Sequence, residues 1–259
     1  MDVSAYLDRI GYTGPVTPTA EVLRGLQRAH LLAVPFENLD IGLGRKIVCD
    51  EASFLQKIIG ERRGGFCYEL NGAFAALLRA LGFKVTLLSA QVPRADGSDG
   101  PEHDHLALRV DLEEPWLADV GFGDFCLEPL RLKLGVEQQQ NERTYRIVKR
   151  ERERGADTEQ SRLLTVEAAE AGGNWKTEYL FSRIPRELQE FAGMCHYHQT
   201  SPESPFTHKR VCSMATRDGR ITLADWKLIV THNGSREERL LGSDEEWKAA
   251  LRDSFQVVL

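Results

Sequence analysis

The hydrophobic pattern of the chain changes its period near residue 84, and this change limits the possible folds more than any other feature. Before it, apolar residues recur at helical spacing behind residues that can cap a helix, as in the segments that follow Thr19 and Ser53. The strongest pattern predicts a helix from Tyr68 to Leu81, closed by a left-handed Gly82. From Lys84 to about Leu180, apolar and polar residues alternate, which predicts strands of a mostly antiparallel sheet or barrel.

Five segments of the alternating region predict strands: KVTLLSAQV, HLALRVDL, WLADVGF, YRIVKR and LLTVEA. The charged stretch KRERERGADTEQSR, which joins the last two, predicts a solvated hairpin. From about Ile184 the pattern is mixed, with a helix near PRELQEFA, a strand pair at VCSMAT and ITLADWKLIV, and a capped terminal helix at SDEEWKAALRDSF. Helices, then strands, then a mixture predict an α+β fold in three regions, residues 1–84, 85–183 and 184–259.

The net charge of the chain argues against one large class of function. The chain has 33 Lys and Arg against 39 Asp and Glu, a net charge of −6, which is too acidic for a protein whose main task is to bind nucleic acid. No apolar run approaches the roughly 18 residues that a membrane span needs. The first residues, MDVSAYLDRIGY, lack the basic and apolar parts of a secretory signal, so we expect a cytoplasmic protein with no membrane partner.

The five cysteines, at positions 49, 67, 126, 195 and 212, form an odd set without a CxxC motif. In a reducing compartment such a sparse set is not a disulfide framework. Most free cysteines are small buried apolar residues, so the local context has to show which of them carries chemistry.

Cys67 has the context of a nucleophile. It lies in RRGGFCYELNGAF, at the N-terminal edge of the strongest predicted helix, beside Arg62 and Arg63 and after two glycines. Helix N-terminal N–H groups and nearby arginines both stabilise a thiolate, so the pattern predicts a thiol pKa below its usual value of about 8.5. Glu69 opposes this effect modestly. Backbone N–H groups of the glycine-rich turn would lie near the sulfur and stabilise an oxyanion.

A base and a carboxylate for this thiol are predicted in the next two strands. His105 begins HLALRVDL, and Asp119 lies in WLADVGF on the face that also carries His105. A three-residue turn would place Asp119 opposite Ala107, with His105 as its diagonal neighbour at about 7 Å. With Asp119 opposite Arg109, the pair would be roughly 13 Å apart, so the triad requires one register.

In such a triad, the histidine accepts the thiol proton, and the carboxylate fixes the tautomer of the ring and supports the imidazolium. Cys67, His105 and Asp119 are residues of the right types for these roles. His103 lies on the same face as His105 and is a second candidate base. A buried cysteine that caps a helix is the structural alternative for Cys67.

Four segments, RGGFCYELN, DHLALRV, WLADVGFGD and HLLAVPFENLDI, resemble the successive signature segments of the arylamine N-acetyltransferases. The resemblance runs from YLDRIGY near the start to QTSPESPF and DGRITL in the third region, so it covers nearly the whole chain. The family pattern implies that Cys67 is the acyl-accepting nucleophile, His105 its base and Asp119 the orienting carboxylate. These are the three residues that the spacing had already singled out.

The resemblance also implies a fold and a reaction. The fold is an N-terminal helical bundle, a central antiparallel β-barrel and a C-terminal α/β lid around a Cys-His-Asp core like that of cysteine proteases and transglutaminases. The reaction is a ping-pong transfer in which acetyl-CoA, the acyl-donor co-substrate, acylates the cysteine before an arylamine or hydrazine takes the acetyl group. No metal takes part.

Binding residues follow from the same resemblance. Aromatic positions that line the acceptor pocket of similar enzymes correspond to four residues here: Phe36, Tyr68, Phe122 and Phe206. Flat aromatic walls suit an arylamine ring. The loop RADGSDGPEHD, which contains His103, resembles the region that accepts coenzyme A, together with Tyr197 and Ser204 near QTSPESPF. Backbone N–H groups of a glycine-containing loop can bind a pyrophosphate.

Two other classes of function remain open at the level of sequence. A transglutaminase-like acyl transferase or a cysteine protease shares the chain order Cys, His, Asp but needs no coenzyme A, and an amide synthase would use a polyketide thioester. A metal-binding or interaction module could be built on Cys195, His196, His198 and His208. The spacing disfavours this module, since Cys195 and His196 are adjacent and would point in different directions on any regular element.

Overall fold

The computed structural model of the chain describes residues 1–150 and 163–259. The charged hairpin predicted from the sequence lies largely in residues 151–162, outside the described part. Helices pack against one side of a large antiparallel sheet, and a smaller sheet with the C-terminal helix packs nearby. This arrangement confirms the α+β class. Within the described residues, no helix is both long and apolar enough to cross a membrane.

The helices of the described residues are short apart from three. Their bounds are α1 Val3–Ile10, α2 Ala20–Ala33, α3 Leu39–Gly42, α4 Glu51–Leu55, α5 Cys67–Ala80, α6 Ala192–Thr200 and α7 Asp244–Phe255. A π-helical turn follows α4 at Gln56–Gly60, and 3-10 turns lie at Leu188–Phe191 and Pro205–Thr207.

Helix α5 is the buried axis of the helical part. Its side chains are buried on almost every face, because α1, α4 and the large sheet all pack against it. Gly72 lets the ring of Phe54 lie on the helix, since a Cβ there would come within 2.7 Å of that ring. The helix is followed by Gly82 at φ 88°, the left-handed stop that the sequence predicts. Helix α4 starts earlier than expected, because Asp50, not Ser53, caps it.

The large sheet has eight antiparallel strands and curls into a nearly closed barrel. In sheet order they are β5 Leu130–Arg131, β4 Pro115–Ala118, β3 His105–Asp111, β2 Lys84–Gln91, β9 Lys176–Arg186, β8 Leu164–Glu170, β7 Arg143–Lys149 and β6 Gln138–Gln140. Glutamine side chains bridge the two edges. The Gln138 amide binds both backbone groups of Arg131, at 2.7 and 3.1 Å, and the Gln140 amide binds those of Glu128, at 2.9 Å each.

Two strands differ from the sequence expectation. Strand β9 was not predicted, because its central residues are buried at four consecutive positions and so show no alternation. Strand β4 ends at Ala118 instead of continuing to Phe122. The next two backbone N–H groups, of Asp119 and Val120, donate to the side chains of Gln27 and Asn71 in helices α2 and α5 rather than to a strand.

The smaller sheet has five antiparallel strands in the order β1 Phe36–Glu37, β10 Val211–Thr216, β11 Gly219–Ala224, β12 Lys227–His232 and β13 Ser235–Leu240. The segment ITLADWKLIV, predicted as one strand, forms both β11 and β12, because Asp225 adopts a left-handed φ of 49° and turns the chain. Helix α7 begins after the Ser243 cap, as predicted, and packs Trp247 and Phe255 into the core of this part.

Candidate active site

Cys67 is the first residue of helix α5 and is buried, with 4% of its surface exposed. The backbone N–H groups of Tyr68, in the same helix, and of Leu106, in β3, donate to its sulfur. Gly121, just beyond β4, lies so close that a Cβ there would be 2.8 Å from the Cys67 Cα. The start of α5, strand β3 and the segment after β4 therefore meet at this sulfur.

The start of α5 is held by Glu69. One carboxylate oxygen accepts the Phe66 N–H at 3.0 Å, and the other binds Lys57 Nζ at 2.8 Å. Burial raises the pKa of Glu69 to about 7, and the Lys57 cation opposes that shift. The carboxylate thus caps the N-terminal end of the helix and joins it to Lys57.

Arg63 belongs to the same buried cluster and not to the sulfur. Its guanidinium binds Glu37 at 2.7 Å and Asp40 at 3.1 Å, and Lys57 Nζ lies 2.7 Å from the second oxygen of Asp40. The expectation that neighbouring arginines lower the pKa of the Cys67 thiol is therefore wrong.

Burial has the opposite effect on that thiol. It raises the pKa of Cys67 well above its usual range, the Leu106 N–H opposes the shift, and the negative charges of Asp104 and Asp119 add to it. A thiolate in such a site forms together with a cation, when the proton passes to a neighbouring base that remains beside it. A neighbouring base, rather than an arginine, is therefore the candidate partner of this thiol.

His105 and Asp119 form a buried pair. Nε2 of His105, the first residue of β3, lies 2.7 Å from Oδ2 of Asp119. Leu108 pairs with Ala118 across the antiparallel strands β3 and β4. The same register, extended by one residue, places Ala107 opposite Asp119. The register predicted from the sequence is confirmed.

The remaining groups of Asp119 are held by residues that the sequence did not single out. Its Oδ1 accepts from Asn71 Nδ2 at 2.8 Å and from the Gly121 N–H at 2.9 Å, and its own N–H donates to Gln27 at 3.1 Å. Asn71 lies four residues after Cys67 in α5, so both project from one face of the helix. The spacing of Cys67 and Asn71 in CYELN is the sequence signal that could have identified Asn71 as part of the site.

Asn71 also joins the helix to the strand that carries His105. Its Nδ2 donates to the Leu106 carbonyl at 2.6 Å, while the Leu106 N–H donates to the Cys67 sulfur. Both backbone groups of the residue after His105 are thus bound by α5. This link fixes the start of β3 against the start of α5.

The four predicted aromatic residues fall into two groups. Phe36 and Phe206 lie 6.2 Å apart, ring centre to ring centre, and Phe66, which was not predicted, packs on Phe206 at 5.9 Å. Tyr68 is fully buried behind Phe66, and its hydroxyl donates to the carbonyls of the His103 and Asp104 residues. Tyr68 is therefore a support for the loop before His105.

Phe122 belongs to the second group, beside the imidazole. Its ring and that of Tyr179 each lie 5.3 Å from the ring of His105. Tyr179 was missed because it lies in the unpredicted strand β9. Phe122, like Phe36 and Phe206, is partly exposed, so three of the four predicted residues offer ring surface to the outside.

The chain matches the family model described as N-acetyltransferase over residues 19–259. The chain belongs to the arylamine N-acetyltransferase family. The pineal gland isozyme NAT-3 of Gallus gallus is 34% identical over 280 residues, covering 100% of this chain and 95% of that protein. The arylamine N-acetyltransferase / N-hydroxyarylamine O-acetyltransferase of Salmonella typhimurium is 34% identical over 239 residues, 91% of this chain and 81% of that protein.

Solved structures of arylamine N-acetyltransferases share the fold. That of Salmonella typhimurium superimposes with a TM-score of 0.89 at 31% identity over 98% of this chain and 90% of that one. That of Mycobacterium marinum in complex with CoA has a TM-score of 0.87 at 31% identity over 99% and 93%. The resemblance stated from the sequence motifs, the fold and the enzyme class are thereby confirmed.

The family resemblance predicted three residues that bind coenzyme A: His103, Tyr197 and Ser204. They lie on two segments of the chain. His103, at a left-handed φ of 65°, lies in the loop before β3, and its N–H donates to Ser89 Oγ at 2.8 Å. Tyr197 and Ser204 lie in and after α6, where the Tyr197 hydroxyl is 3.5 Å from Glu203. Ser204 is fully buried.

His198 joins these two segments. Its Nδ1 lies 3.1 Å from Ser204 Oγ, and its Nε2 lies 3.1 Å from Asp104 Oδ1. Two other residues of the metal-binding alternative have separate partners: Gln199 donates to the Cys195 sulfur, and His208 Nε2 lies 2.6 Å from the Pro202 carbonyl. Residues 1–150 and 163–259 contain no group of three or more potential ligands suited to a metal ion.

A cavity that the sequence did not reveal opens between the barrel and the smaller sheet. Its volume is about 580 Å³, and four arginines line it: Arg143, Arg217, Arg220 and Arg236. Arg220 donates to the Gly123 carbonyl at 2.6 Å and to Ser213 Oγ at 3.0 Å. Because Gly123 directly follows Phe122, the cavity adjoins the aromatic group beside His105.

Proposed function

We propose that the protein transfers the acetyl group of acetyl-CoA to arylamines and hydrazines by a ping-pong mechanism with an acetyl-Cys67 intermediate. The observation that carries this proposal is the buried His105–Asp119 pair at the start of β3, whose next residue, Leu106, donates to the Cys67 sulfur. Membership of the arylamine N-acetyltransferase family supports the choice of donor and acceptor.

In the first half-reaction, His105 accepts the Cys67 proton as the sulfur attacks the thioester carbonyl. Because Nε2 of His105 faces Asp119, its Nδ1 is the nitrogen that exchanges this proton. The carboxylate supports the imidazolium as it forms. Collapse of the tetrahedral intermediate expels the CoA sulfur, which takes the proton from His105, and the step is nearly neutral because one thioester replaces another.

Backbone N–H groups support the negative charge that moves during this step. The Tyr68 and Leu106 N–H groups that donate to the sulfur stabilise the thiolate before attack. They lie in a buried site, where hydrogen bonds to a charged group are stronger than in water. This offsets part of the rise in thiol pKa that burial causes.

In the second half-reaction, the amine nitrogen attacks the acetyl-cysteine carbonyl and passes one proton to His105. Collapse of this intermediate breaks the carbon–sulfur bond, forms the amide and releases the Cys67 thiolate. The partly exposed rings of Phe36, Phe122 and Phe206 offer flat apolar surfaces for the aryl group of the acceptor.

Coenzyme A is an anion, and a chain of net charge −6 must bind it with local donors. The loop that contains His103 and the segment with Tyr197 and Ser204 were expected to supply them, and the Mycobacterium marinum relative was solved with CoA. The cavity beside Gly123 adds guanidinium groups, which suit phosphate oxygens, although Asp124, Glu142 and Asp218 also line it and Asp124 already pairs with Arg143 and Arg220. A cytoplasmic location remains a prediction from the N-terminal sequence.

The intact mass of the protein after mixing with acetyl-CoA tests the proposal. We expect a gain of about 42 Da, one acetyl group, which peptide mapping places on Cys67 and which an added arylamine removes. Replacement of the buried Cys126, as Cys126→Ala, should leave this gain unchanged. A transglutaminase-like enzyme or a protease would show no gain, and an amide synthase would show no transfer to a simple arylamine.

A further inference from the structure

Two cysteines that the proposed reaction does not use lie against each other. Cys49, in the segment before helix α4, is half-buried, and Cys195, in helix α6, is 1% exposed. Their side chains hydrogen-bond to each other. The two residues are far apart in sequence, so the fold itself has brought these thiols together.

The backbone around both cysteines is fixed by one glutamine. Gln199 Nε2 donates to the carbonyls of Ile47, at 3.0 Å, and Cys195, at 2.9 Å, and its Oε1 accepts the Ile47 N–H at 2.8 Å. The same Nε2 lies 3.4 Å from the Cys195 sulfur. The Cys49 sulfur is 3.8 Å from the Leu188 carbonyl, in the turn before α6. Gln199 thus ties Ile47 to helix α6, and the Leu188 carbonyl contacts the Cys49 sulfur from the turn before that helix.

The two thiols differ in a way that suits a stepwise oxidation. The hydrogen bond from Cys195 lowers the pKa of Cys49, and the same bond and burial raise the pKa of Cys195. Cys49 is also the more exposed of the two. A partly exposed cysteine beside a second thiol is the usual arrangement of a redox-sensitive cysteine and its resolving partner.

We propose that hydroperoxides oxidise Cys49 and Cys195, and that the two residues then form a reversible disulfide. The Cys49 thiolate attacks one peroxide oxygen, the O–O bond breaks, and protonation of the leaving oxygen gives water and a Cys49 sulfenic acid. The Cys195 sulfur then attacks the Cys49 sulfur, the S–O bond breaks, and the Cys195 proton leaves with the hydroxide as a second water. The two thiols lose two electrons, and one hydrogen peroxide gains them.

The disulfide covalently joins the segment before α4 to α6, two parts that already pack together. It therefore preserves the geometry of the proposed active site and restricts the unfolded chain. We expect a rise of roughly 5–10 °C in the Tm, with acetyl transfer retained. The site is independent of the proposed function, since Cys67 takes no part in it.

Treatment of the full chain with dilute hydrogen peroxide tests the proposal. We expect a species lighter by about 2 Da, with the peptides of Cys49 and Cys195 linked, which dithiothreitol returns to the original mass. The Cys49→Ser and Cys195→Ser variants should lose the link, and Cys195→Ser should accumulate oxygen on Cys49. The Cys212→Ala variant, at a buried cysteine of another core, should keep it.

The Cys67→Ser variant separates this proposal from that of the acetyl transfer. It removes the proposed nucleophile but should form the same link between Cys49 and Cys195. If both cysteines remain open to alkylation after peroxide has oxidised other thiols, or if the link forms between Cys67 and either of them, the proposal is overturned.

Discussion

Within residues 1–150 and 163–259, two buried histidines each lie against an aspartate, but only the His105–Asp119 contact is a hydrogen bond, and only it lies next to a buried cysteine. His105 and His198 are both buried, and Nε2 of each lies close to an aspartate oxygen, at 2.7 Å from Asp119 and 3.1 Å from Asp104. The second pair even has a hydroxyl on its other side, since Ser204 Oγ lies 3.1 Å from Nδ1 of His198.

The difference lies in what surrounds the group that would react. The Ser204 hydroxyl donates its hydrogen bond to the His198 carbonyl at 3.2 Å, and its oxygen accepts one from the Phe206 N–H at 3.3 Å. Cys67 instead begins a long helix, and its sulfur accepts hydrogen bonds from two backbone N–H groups. A histidine–aspartate pair can act as a base only where the proton of the neighbouring nucleophile is not already donated to another group. Where it is, as at Ser204, the pair holds two segments together.

Loss of the proposed nucleophile should have the largest effect on this comparison. We expect Cys67→Ala to lower kcat for acetyl transfer by at least about 10⁴-fold, because no other group can carry the acetyl intermediate. The measurement is steady-state transfer from acetyl-CoA to an arylamine. Transfer at the parent rate by this variant would refute the mechanism.

Matched changes at the two aspartates should separate the pairs next. We expect Asp119→Asn to lower kcat/KM by roughly 10³- to 10⁴-fold, because the amide no longer supports the imidazolium or fixes its tautomer. Asp104→Asn should lower it by less than about tenfold, since Asp104 contacts His198 and not His105. Equal losses in the two variants would show that both pairs take part in the chemistry.

The residue that holds Asp119 should have an intermediate effect. We expect Asn71→Ala to lower kcat by about 10- to 100-fold, with the KM for the acceptor nearly unchanged, because Asn71 orients the carboxylate without contacting the acceptor. Separate measurement of kcat and KM for one arylamine checks this. An effect confined to KM would place Asn71 in acceptor binding instead.

The smallest effect on activity is expected at the serine of the second pair. Ser204→Ala should keep kcat within about threefold of the parent value but lower the free energy of unfolding by about 1–3 kcal/mol, since it leaves buried groups without a partner. Urea unfolding, followed beside the transfer assay, measures both. A large loss of kcat with unchanged stability would contradict a structural role for the contact between His198 and Ser204.

The sequence predicted the pairing of His105 with Asp119 because alternation along a strand decides which residues share a face, and turn length decides register. Both signals are local. Asn71 and Gln27, which complete the surroundings of Asp119, come from two helices and depend on how those helices dock. Only Asn71 had a local signal, its spacing from Cys67.

The electrostatic expectation failed for the same reason. Proximity in sequence suggested that Arg63 acts on the Cys67 sulfur, but its guanidinium turns to Glu37 and Asp40, which precede it by more than twenty residues. Burial, which no single segment reveals, then raises the pKa of the thiol. Strand β9 escaped prediction likewise, since a strand buried on both faces shows no alternation. The boundaries of the three regions stay predictions.

The glycine at position 121 has a consequence for directed evolution of this enzyme. A Cβ there would lie 2.8 Å from the Cys67 Cα and 2.7 Å from Asn71 Nδ2, so the main chains around the sulfur are already in contact. Random mutagenesis should find this position intolerant even of alanine. Under the proposed function, libraries aimed at new acceptors should vary Phe36 and Phe206 instead, whose rings are partly exposed and pack on each other, whereas the Phe122 ring packs on that of His105.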